Sequence, residues 1–228
     1  MDRVLLRLNL EVLGLLVDDI VLDRFEEFEN RLYTTNQVMN LTRIPQQECW
    51  LRHFVDSVLW HDLALDGQQV LDIGCGPGFP CWPLANVRPD LKVTGVDSSG
   101  KMLSFLRTQP LDNLIVVKAR AEYWAVREEY DIVTGRALAP LPIQLEVSVA
   151  PCRVGGRVIP MRSLNDEETI QKFDASPFGL ELVNIEKRLL PVVDAVRLFP
   201  VYLKTKVTPS RYPRMWAEIK KAYAIKDL

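Results

Sequence analysis

The feature that most constrains the fold is a glycine-rich stretch, QVLDIGCGPGFP, at residues 69–80. A short apolar run ends there, and Gly74, Gly76 and Gly78 follow at alternate positions. Glycine adopts positive φ without steric cost and lets a ligand approach the main chain closely. In open α/β sheets, ligands bind where such a turn leaves the carboxyl end of a strand. The stretch therefore predicts a parallel sheet with a binding site at this turn.

The rest of the pattern supports this fold. Short β-rich runs, KVTGVD, LIVVK, YDIVT and RVIPM, alternate with helical segments, which predicts right-handed βαβ units and a parallel sheet. LELVNIEKRLL and AVRLFPVYLK predict two antiparallel strands at one edge. We predict a Rossmann-like α/β core over residues 66–207, after a helical extension over 1–65 and before a basic tail over 208–228.

Composition argues against several classes of protein. The formal net charge of −2 gives no overall attraction to nucleic acid. The apolar N-terminal stretch is too interrupted for a membrane span and lacks a signal-peptide cleavage pattern. The four cysteines form no C-x-x-C pair, which argues against a metal site and a disulfide framework. We expect a cytoplasmic protein without metal or membrane anchor.

The glycine spacing separates two classes of ligand. In the dinucleotide fingerprint the third glycine follows the first by five residues, and a helix N-terminus faces the pyrophosphate. That position is Phe79 here, Gly78 precedes it and Pro80 follows. The G-x-G-x-G pattern therefore favours a cofactor without pyrophosphate.

Two further segments agree with a nucleoside-containing cofactor. Asp97 ends the second predicted strand, where its carboxylate could accept both ribose hydroxyls; helix capping is the alternative. Ala121 and Glu122 follow the third strand and could flank the edge of an adenine ring. With the glycine loop they describe a class I S-adenosylmethionine pocket, and a generic Rossmann-like core is the alternative.

Arg136, after the fourth predicted strand, is the candidate catalytic residue. The Asn/Asp-Pro-Pro-Tyr motif of enzymes that methylate exocyclic amines is absent there. Cys152, the candidate nucleophile of a cytosine-C5 enzyme, lies where a helix is predicted to end, which argues against that role. Arginine does not act as a base at neutral pH, which suits a nucleophile with a free lone pair. Guanine N7 is such an atom, and arginine recognises N7 and O6 together. The alternative is that Arg136 closes the cofactor pocket or holds the methionine carboxylate.

Five motifs, in this order, resemble one family. They are NQVMNLT at 36–42, RHFVDS at 52–57, the glycine loop, GRA at 135–137 and TPSRYPR at 208–214. Over about residues 20 to 214 the chain resembles the RsmG family, also called GidB, bacterial methyltransferases that act on guanine N7 in small-subunit (16S) rRNA.

The resemblance implies a class I methyltransferase fold, S-adenosylmethionine as methyl donor, and 16S rRNA or a small ribosomal subunit particle as partner of a monomer. By position, the family's cofactor contacts fall on Gly74, Phe79, Ala121, Glu122 and Arg136. The candidate cofactor-binding residues are Asp72, Gly74, Gly76, Gly78, Phe79, Asp97, Ala121, Glu122 and Arg136.

The chain also departs from the family pattern. Cys81 stands where glycine is usual, and Met161-Arg162-Ser163 replaces Leu-Lys-Gly. The usual basic tail, rich in glycine and proline, is replaced by MWAEIKKAYAIKDL from Met215.

Candidate rRNA-binding residues come from the motifs, from the departure at Arg162 and from the basic residues near the C-terminus. They are Asn40, Arg52, His53, Arg162, Lys204, Lys206, Arg211 and Arg214. Helical periodicity leaves Arg52, His53, Asp56 and Ser57 opposite the apolar stripe of the third helix. That face is either a solvated or helix-bracing polar face, or Asn40, Arg52 and His53 line the mouth of the methyl-transfer cleft and hold the RNA. The basic C-terminal residues are either solvated or bind RNA. A small-molecule methyltransferase and a non-catalytic rRNA-binding or ribosome-assembly protein are the rival functions.

Overall fold

The computed structural model describes residues 1–223, and residues 224–228 of the predicted tail lie outside the described residues. The described chain folds around one seven-stranded sheet of order β3-β2-β1-β4-β5-β7-β6. The strands are β1 (Gln69–Ile73), β2 (Lys92–Asp97), β3 (Leu114–Lys118), β4 (Tyr130–Arg136), β5 (Cys152–Ser163), β6 (Leu180–Leu190) and β7 (Ala195–Lys204).

The sheet is parallel from β3 to β5, and β7 runs antiparallel to both β5 and β6. The predicted fold class, a mostly parallel sheet with an antiparallel edge, is confirmed. Strand order reverses at β1, with β2 on one side and β4 on the other. A crevice at the carboxyl ends of these strands is the ligand site of open α/β sheets.

Eight α-helical segments cover the sheet within the described residues. They are α1 (Arg3–Val12), α2 (Asp19–Met39), α3 (Asp56–Val58), α4 (Cys81–Val87), α5 (Gly100–Leu106), α6 (Leu141–Val149), α7 (Glu167–Lys172) and α8 (Trp216–Ala222). None of the helices in this part of the chain is long and apolar enough to cross a bilayer.

The N-terminal helices pack directly on the sheet layer. The Phe28 ring of α2 lies 4.2 Å from Trp82, 5.3 Å from Phe105 and 5.5 Å from Phe79, measured between ring centroids. All four side chains belong to one buried cluster that continues into β1 and β2. The extension and the glycine loop therefore share a hydrophobic core.

The third predicted helix does not present a solvated polar face, and Arg52, His53 and Asp56 line a cavity, as the alternative interpretation predicts. Residues Trp50–Val55 form a turn of π-helix before α3, and only Arg52 among the four polar residues is exposed. Hydrogen bonds from i to i+5 widen the turn and change which side chains share a face. As a result, His53, Asp56 and Ser57 point inward.

The structure contradicts the prediction that Lys204 binds RNA. Lys204 ends β7 beside the start of β5, at the opposite end of the strands from Arg136. Its side chain is fully buried, and Nζ donates to the carbonyl oxygens of Val149 and Cys152 and to Glu128. Lys204 therefore satisfies buried acceptors and is inaccessible to RNA.

We expect Phe28→Ala to lower the free energy of unfolding by about 3–5 kcal/mol, because it removes the ring that joins α2 to the glycine-loop helix and leaves a cavity. Urea unfolding would measure the loss. The matched control is Val38→Ala on the same helix, which is 82% exposed and should change stability by less than about 0.5 kcal/mol. Equal losses in the two variants would contradict a shared core.

Candidate active site

Two neighbouring cavities lie at the carboxyl ends of the parallel strands. The apolar cavity is lined mainly by Gly74, Val96, Asp97, Ala119, Ala121, Glu122, Leu138, Ile143, Val147 and Trp216. The cationic cavity is lined by Ile44, Arg52, His53, Asp56, Arg136, Ala137, Met161, Arg162, Ser163, Asp166 and Arg197. The segment after β4 separates them, since Arg136 and Ala137 line one and Leu138 and Ala139 the other.

Asp97 organises the floor of the apolar cavity. Its Oδ2 accepts a hydrogen bond from the Gly76 N–H at 2.9 Å, and its Oδ1 accepts one from Ser99 N–H at 2.7 Å. Ser99 in turn caps α5. Each carboxylate oxygen keeps a further lone pair, because an ionised carboxylate has about four acceptor sites. Asp97 therefore braces the loop and still presents acceptors to a ligand.

Glycine residues of the loop serve different purposes. Gly74 has φ of +77° beside the cavity, and a Cβ there would lie 2.5 Å from Leu138 Cδ1. Gly78 has φ of +122°, and its Cβ would lie 2.7 Å from Leu106 Cδ1 and 3.2 Å from Trp82 Cβ. A side chain at Gly78 would therefore meet the buried core, and cofactor contact by this residue stays a prediction.

Asp72 and Phe79 also lie beneath the loop, outside the residues that line the apolar cavity. Asp72 is fully buried and accepts a hydrogen bond from Cys81 N–H at 3.0 Å; burial raises its pKa to about 7. It therefore orders the loop from the buried side, and its predicted role in cofactor binding stays a prediction. The Phe79 ring is buried against the imidazole of His53, with centroids 4.0 Å apart and planes 5° apart.

Arg136 reaches the cationic cavity and is held from several sides. One terminal nitrogen, Nη1, donates to the Arg52 carbonyl at 3.0 Å and to Asp56 Oδ2 at 3.2 Å. The other, Nη2, donates to His53 Nδ1 at 3.2 Å. Burial lowers the pKa of Arg136 from its usual value, opposed first by Asp56. The guanidinium remains charged, since arginine does not deprotonate in proteins.

His53 is a neutral acceptor in this arrangement. Its Nδ1 receives the Arg136 hydrogen bond, so its proton lies on Nε2, which is 2.7 Å from Thr42 Oγ1. Burial, and then the charge of Arg136, lowers the pKa of His53 to about 3. His53 therefore orients Arg136 without adding charge.

Asp56 and Arg197 were not among the predicted site residues. Asp56 Oδ1 accepts from Arg197 Nε at 2.7 Å while Oδ2 faces Arg136, so one carboxylate joins two guanidinium groups. The motif RHFVDS places Asp56 one turn after Arg52, which is the available sequence signal. Arg197 carries no local signal, because its proximity comes from the pairing of β7 with β5.

The structure brings some predicted RNA-binding residues together and separates others. Arg52, His53 and Arg162 line the same cavity as Arg136. Asn40 adopts the left-handed C-cap of α2 and is exposed outside that cavity. The exposed Lys206 follows β7 and lies at the opposite end of the strands from Arg136.

Two tail arginines have separate locations. Arg211 is exposed on the segment between β7 and α8. Arg214 forms an ion pair with the buried Glu146.

We expect His53→Gln to reduce the pH dependence of stability. Between pH 6.5 and about 3 the unfolded chain protonates His53 while the folded protein keeps it neutral. Stability from this residue is therefore present above pH 6.5 and lost as pH falls, with a slope of up to about 1.4 kcal/mol per pH unit. Urea unfolding from pH 7 to pH 4 would measure a shallower slope in the variant than in the parent; Val38→Ala is the control. Parallel slopes would contradict a neutral buried His53.

Comparisons with known proteins agree with this geometry. The family model GidB, described as rRNA small subunit methyltransferase G, matches residues 21–189. The ribosomal RNA small subunit methyltransferase G of Lactobacillus delbrueckii subsp. bulgaricus is 34% identical over 206 residues, covering 84% of this chain and 86% of that protein. Its namesake from Caldanaerobacter subterraneus subsp. tengcongensis is 36% identical over 214 residues, covering 89% and 90%.

A solved structure supports the fold alone. TYW2 of M. jannaschii, in complex with AdoMet, has a TM-score of 0.53 at 16% identity, covering 65% of this chain and 74% of that one. The family model and the relatives extend over most of the chain and include both the glycine loop and Arg136. The chain therefore belongs to the rRNA small subunit methyltransferase G (GidB) family.

Proposed function

We propose that the protein transfers the methyl group of S-adenosylmethionine to N7 of a guanosine in 16S rRNA. Family membership supports the class of reaction and the substrate. The choice of N7 rests on one observation about the cationic cavity. Each potential base among its described lining residues is already bonded to another protein group.

Three side chains of the cavity are potential bases. Both oxygens of Asp56 face arginines, and Asp166 Oδ2 accepts from Ser163 Oγ at 3.2 Å. The two nitrogens of His53 are taken by Arg136 and Thr42. Asp56 is thus engaged by two guanidinium groups, and the acceptor nitrogen of His53 is occupied by Arg136. A site whose bases are engaged in this way suits a nucleophile that needs no deprotonation, and the N7 lone pair is such a nucleophile.

The apolar cavity fits the methyl donor. Asp97 offers carboxylate acceptors suited to a ribose diol, and Ala121, Ile143 and Val147 supply apolar walls for a purine ring. Gly74 lies in the wall of this cavity, where an added side chain would collide with Leu138. When bound, S-adenosylmethionine supplies an electrophilic methyl group on a sulfonium. The cationic cavity adjoins this one at the end of β4.

Arg136 positions the acceptor base in this proposal. Its guanidinium has five N–H donors, and the contacts to Arg52, Asp56 and His53 use three of them. A donor bonded to N7 would occupy the attacking lone pair, so the remaining donors are assigned to O6, the adjacent acceptor. Orientation of this kind supplies up to roughly 7–11 kcal/mol in well-aligned reactions. Positioning therefore carries the catalysis.

Phosphate contacts are assigned to cations around the same cavity. Arg52 is half-exposed and Arg43 is exposed on the segment that leads to Ile44 in the cavity wall. Arg162 and Arg197 lie deeper. A local patch of this kind would attract RNA although the chain as a whole is slightly acidic.

The first test is methyl transfer to unmodified 16S rRNA, supplied as free RNA and as small-subunit particles, followed by borohydride and aniline cleavage at 7-methylguanosine. We expect one cleavage site. Arg136→Ala should lower kcat/KM by at least about 100-fold, the scale of losing an oriented donor at a reacting group. Lys206→Ala lies at the opposite end of the strands from Arg136; it is the control and should retain full activity.

Other outcomes identify the rival functions. Labelled RNA that resists cleavage would remove N7 as the acceptor atom. Cofactor binding without transfer to either RNA substrate would favour a small-molecule methyltransferase. RNA binding without any methyl transfer would favour a non-catalytic binding or assembly protein.

The position of the RNA contacts can be tested through salt dependence. Replacing both Arg43 and Arg52 with glutamine should reduce the slope of log affinity against log salt by about 1.4, which is twice the roughly 0.7 expected for each phosphate contact on single-stranded RNA. Filter binding or fluorescence anisotropy would measure it. Lys206→Gln should leave the slope unchanged. A smaller slope in Lys206→Gln, with an unchanged slope in the Arg43 and Arg52 variant, would place the RNA at the opposite end of the strands.

A further inference from the structure

The C-terminal helix α8 forms one wall of the apolar cavity. Trp216 is its first residue and lines the cavity together with Ile143 and Val147 of α6. Ile219, one turn later, is fully buried in the core cluster beneath α6. Trp216 is thus held between the protein core and the cavity opening, where it is partly exposed.

Glu146 of α6 holds the segment that leads into α8. Its Oε1 accepts from the Arg214 backbone N–H and from Arg214 Nε, both at 2.9 Å, and its Oε2 accepts from Arg214 Nη2 at 2.6 Å. Tyr223, after the helix, donates its hydroxyl to Oε2 at 3.2 Å. The Glu146 side chain is fully buried, so each donor offsets the desolvation of its charge. Contacts on both sides of α8 therefore meet at one carboxylate.

Arg120 completes the opening around Trp216. Its guanidinium lies 5.9 Å from the Trp216 ring and 5.8 Å from the Tyr123 ring, and it pairs with Glu122 at 2.6 Å. Glu122 and Ala121 line the same cavity. The indole therefore stands at the end of the cavity formed by the Ala121–Glu122 segment, away from Arg136.

We propose that Trp216 covers the adenine ring of S-adenosylmethionine and that Glu146 is the positioning residue that keeps α8 closed over it. This inference rests on the proposed function, because it assigns the cofactor to the apolar cavity. An indole beside an apolar slot offers a flat surface on which a purine stacks. The basic residue Arg214 then serves cofactor retention through Glu146 instead of contacting RNA.

The test uses S-adenosylhomocysteine as the probe, with affinity measured by calorimetry on the full chain. Trp216→Ala should weaken binding on the order of tenfold, as expected for loss of a base–aromatic stack. Trp216→Phe should retain affinity within about threefold. Lys221→Ala, exposed on the same helix, is the matched control and should bind like the parent protein.

Fluorescence separates a direct contact from a structural role. Binding of S-adenosylhomocysteine should quench tryptophan emission in the parent protein, and Trp216→Phe should lose most of that quenching while it still binds. This variant keeps the proposal testable if Trp216→Ala fails to fold. Unchanged quenching in Trp216→Phe would overturn the assignment of Trp216.

Hydrogen exchange tests the positioning role of Glu146. S-adenosylhomocysteine should slow amide exchange across α8 in the parent protein, and Arg214→Gln should raise exchange there in the free protein and weaken binding. Unaltered exchange and affinity in Arg214→Gln would overturn this role. Failure of the proposed function looks different, because the parent protein would then not bind the probe or would not methylate rRNA.

Discussion

The architecture of the site depends on one buried carboxylate shared between two guanidinium groups. Asp56 faces Arg136 at the end of β4 and Arg197 at the start of β7, and its side chain is only 6% exposed. Removing one partner of a buried pair typically costs 3–5 kcal/mol, because the remaining charge stays desolvated. The N-terminal extension therefore supplies an integral part of the cationic cavity, since Asp56 and His53 fix the side chain of Arg136.

This arrangement divides the carboxyl ends of the parallel strands into two environments that meet at the end of β4. Apolar walls and the Asp97 carboxylate suit a nucleoside on one side, while arginines suit a phosphate backbone and a guanine on the other. Leu138 fills the space that the absent Gly74 side chain leaves open, so the loop and the β4 segment fit together closely.

Much of the fold follows from local sequence signals. Strand and helix periodicity, together with the glycine loop, predict the parallel sheet, its antiparallel edge and the position of Asp97, because each signal is local and parallel strands end at a common edge. The periodicity failed at the third helix, where a π-turn changed the face presented by His53 and Asp56. Gly78 shows a second limit, since glycine spacing alone does not distinguish ligand approach from close packing.

By itself, the sequence determined the fold class, the location of the ligand crevice and the candidate role of Arg136. Tertiary structure alone decided which charges are available for binding. Lys204 and Arg214 are both basic residues near the C-terminus and cannot be distinguished by sequence, yet one is buried among carbonyl oxygens and the other is bonded to Glu146. Likewise, Trp216 reaches the apolar cavity only because α8 packs on α6. Such contacts join residues far apart in the chain, so burial and pairing arise only when the elements pack together.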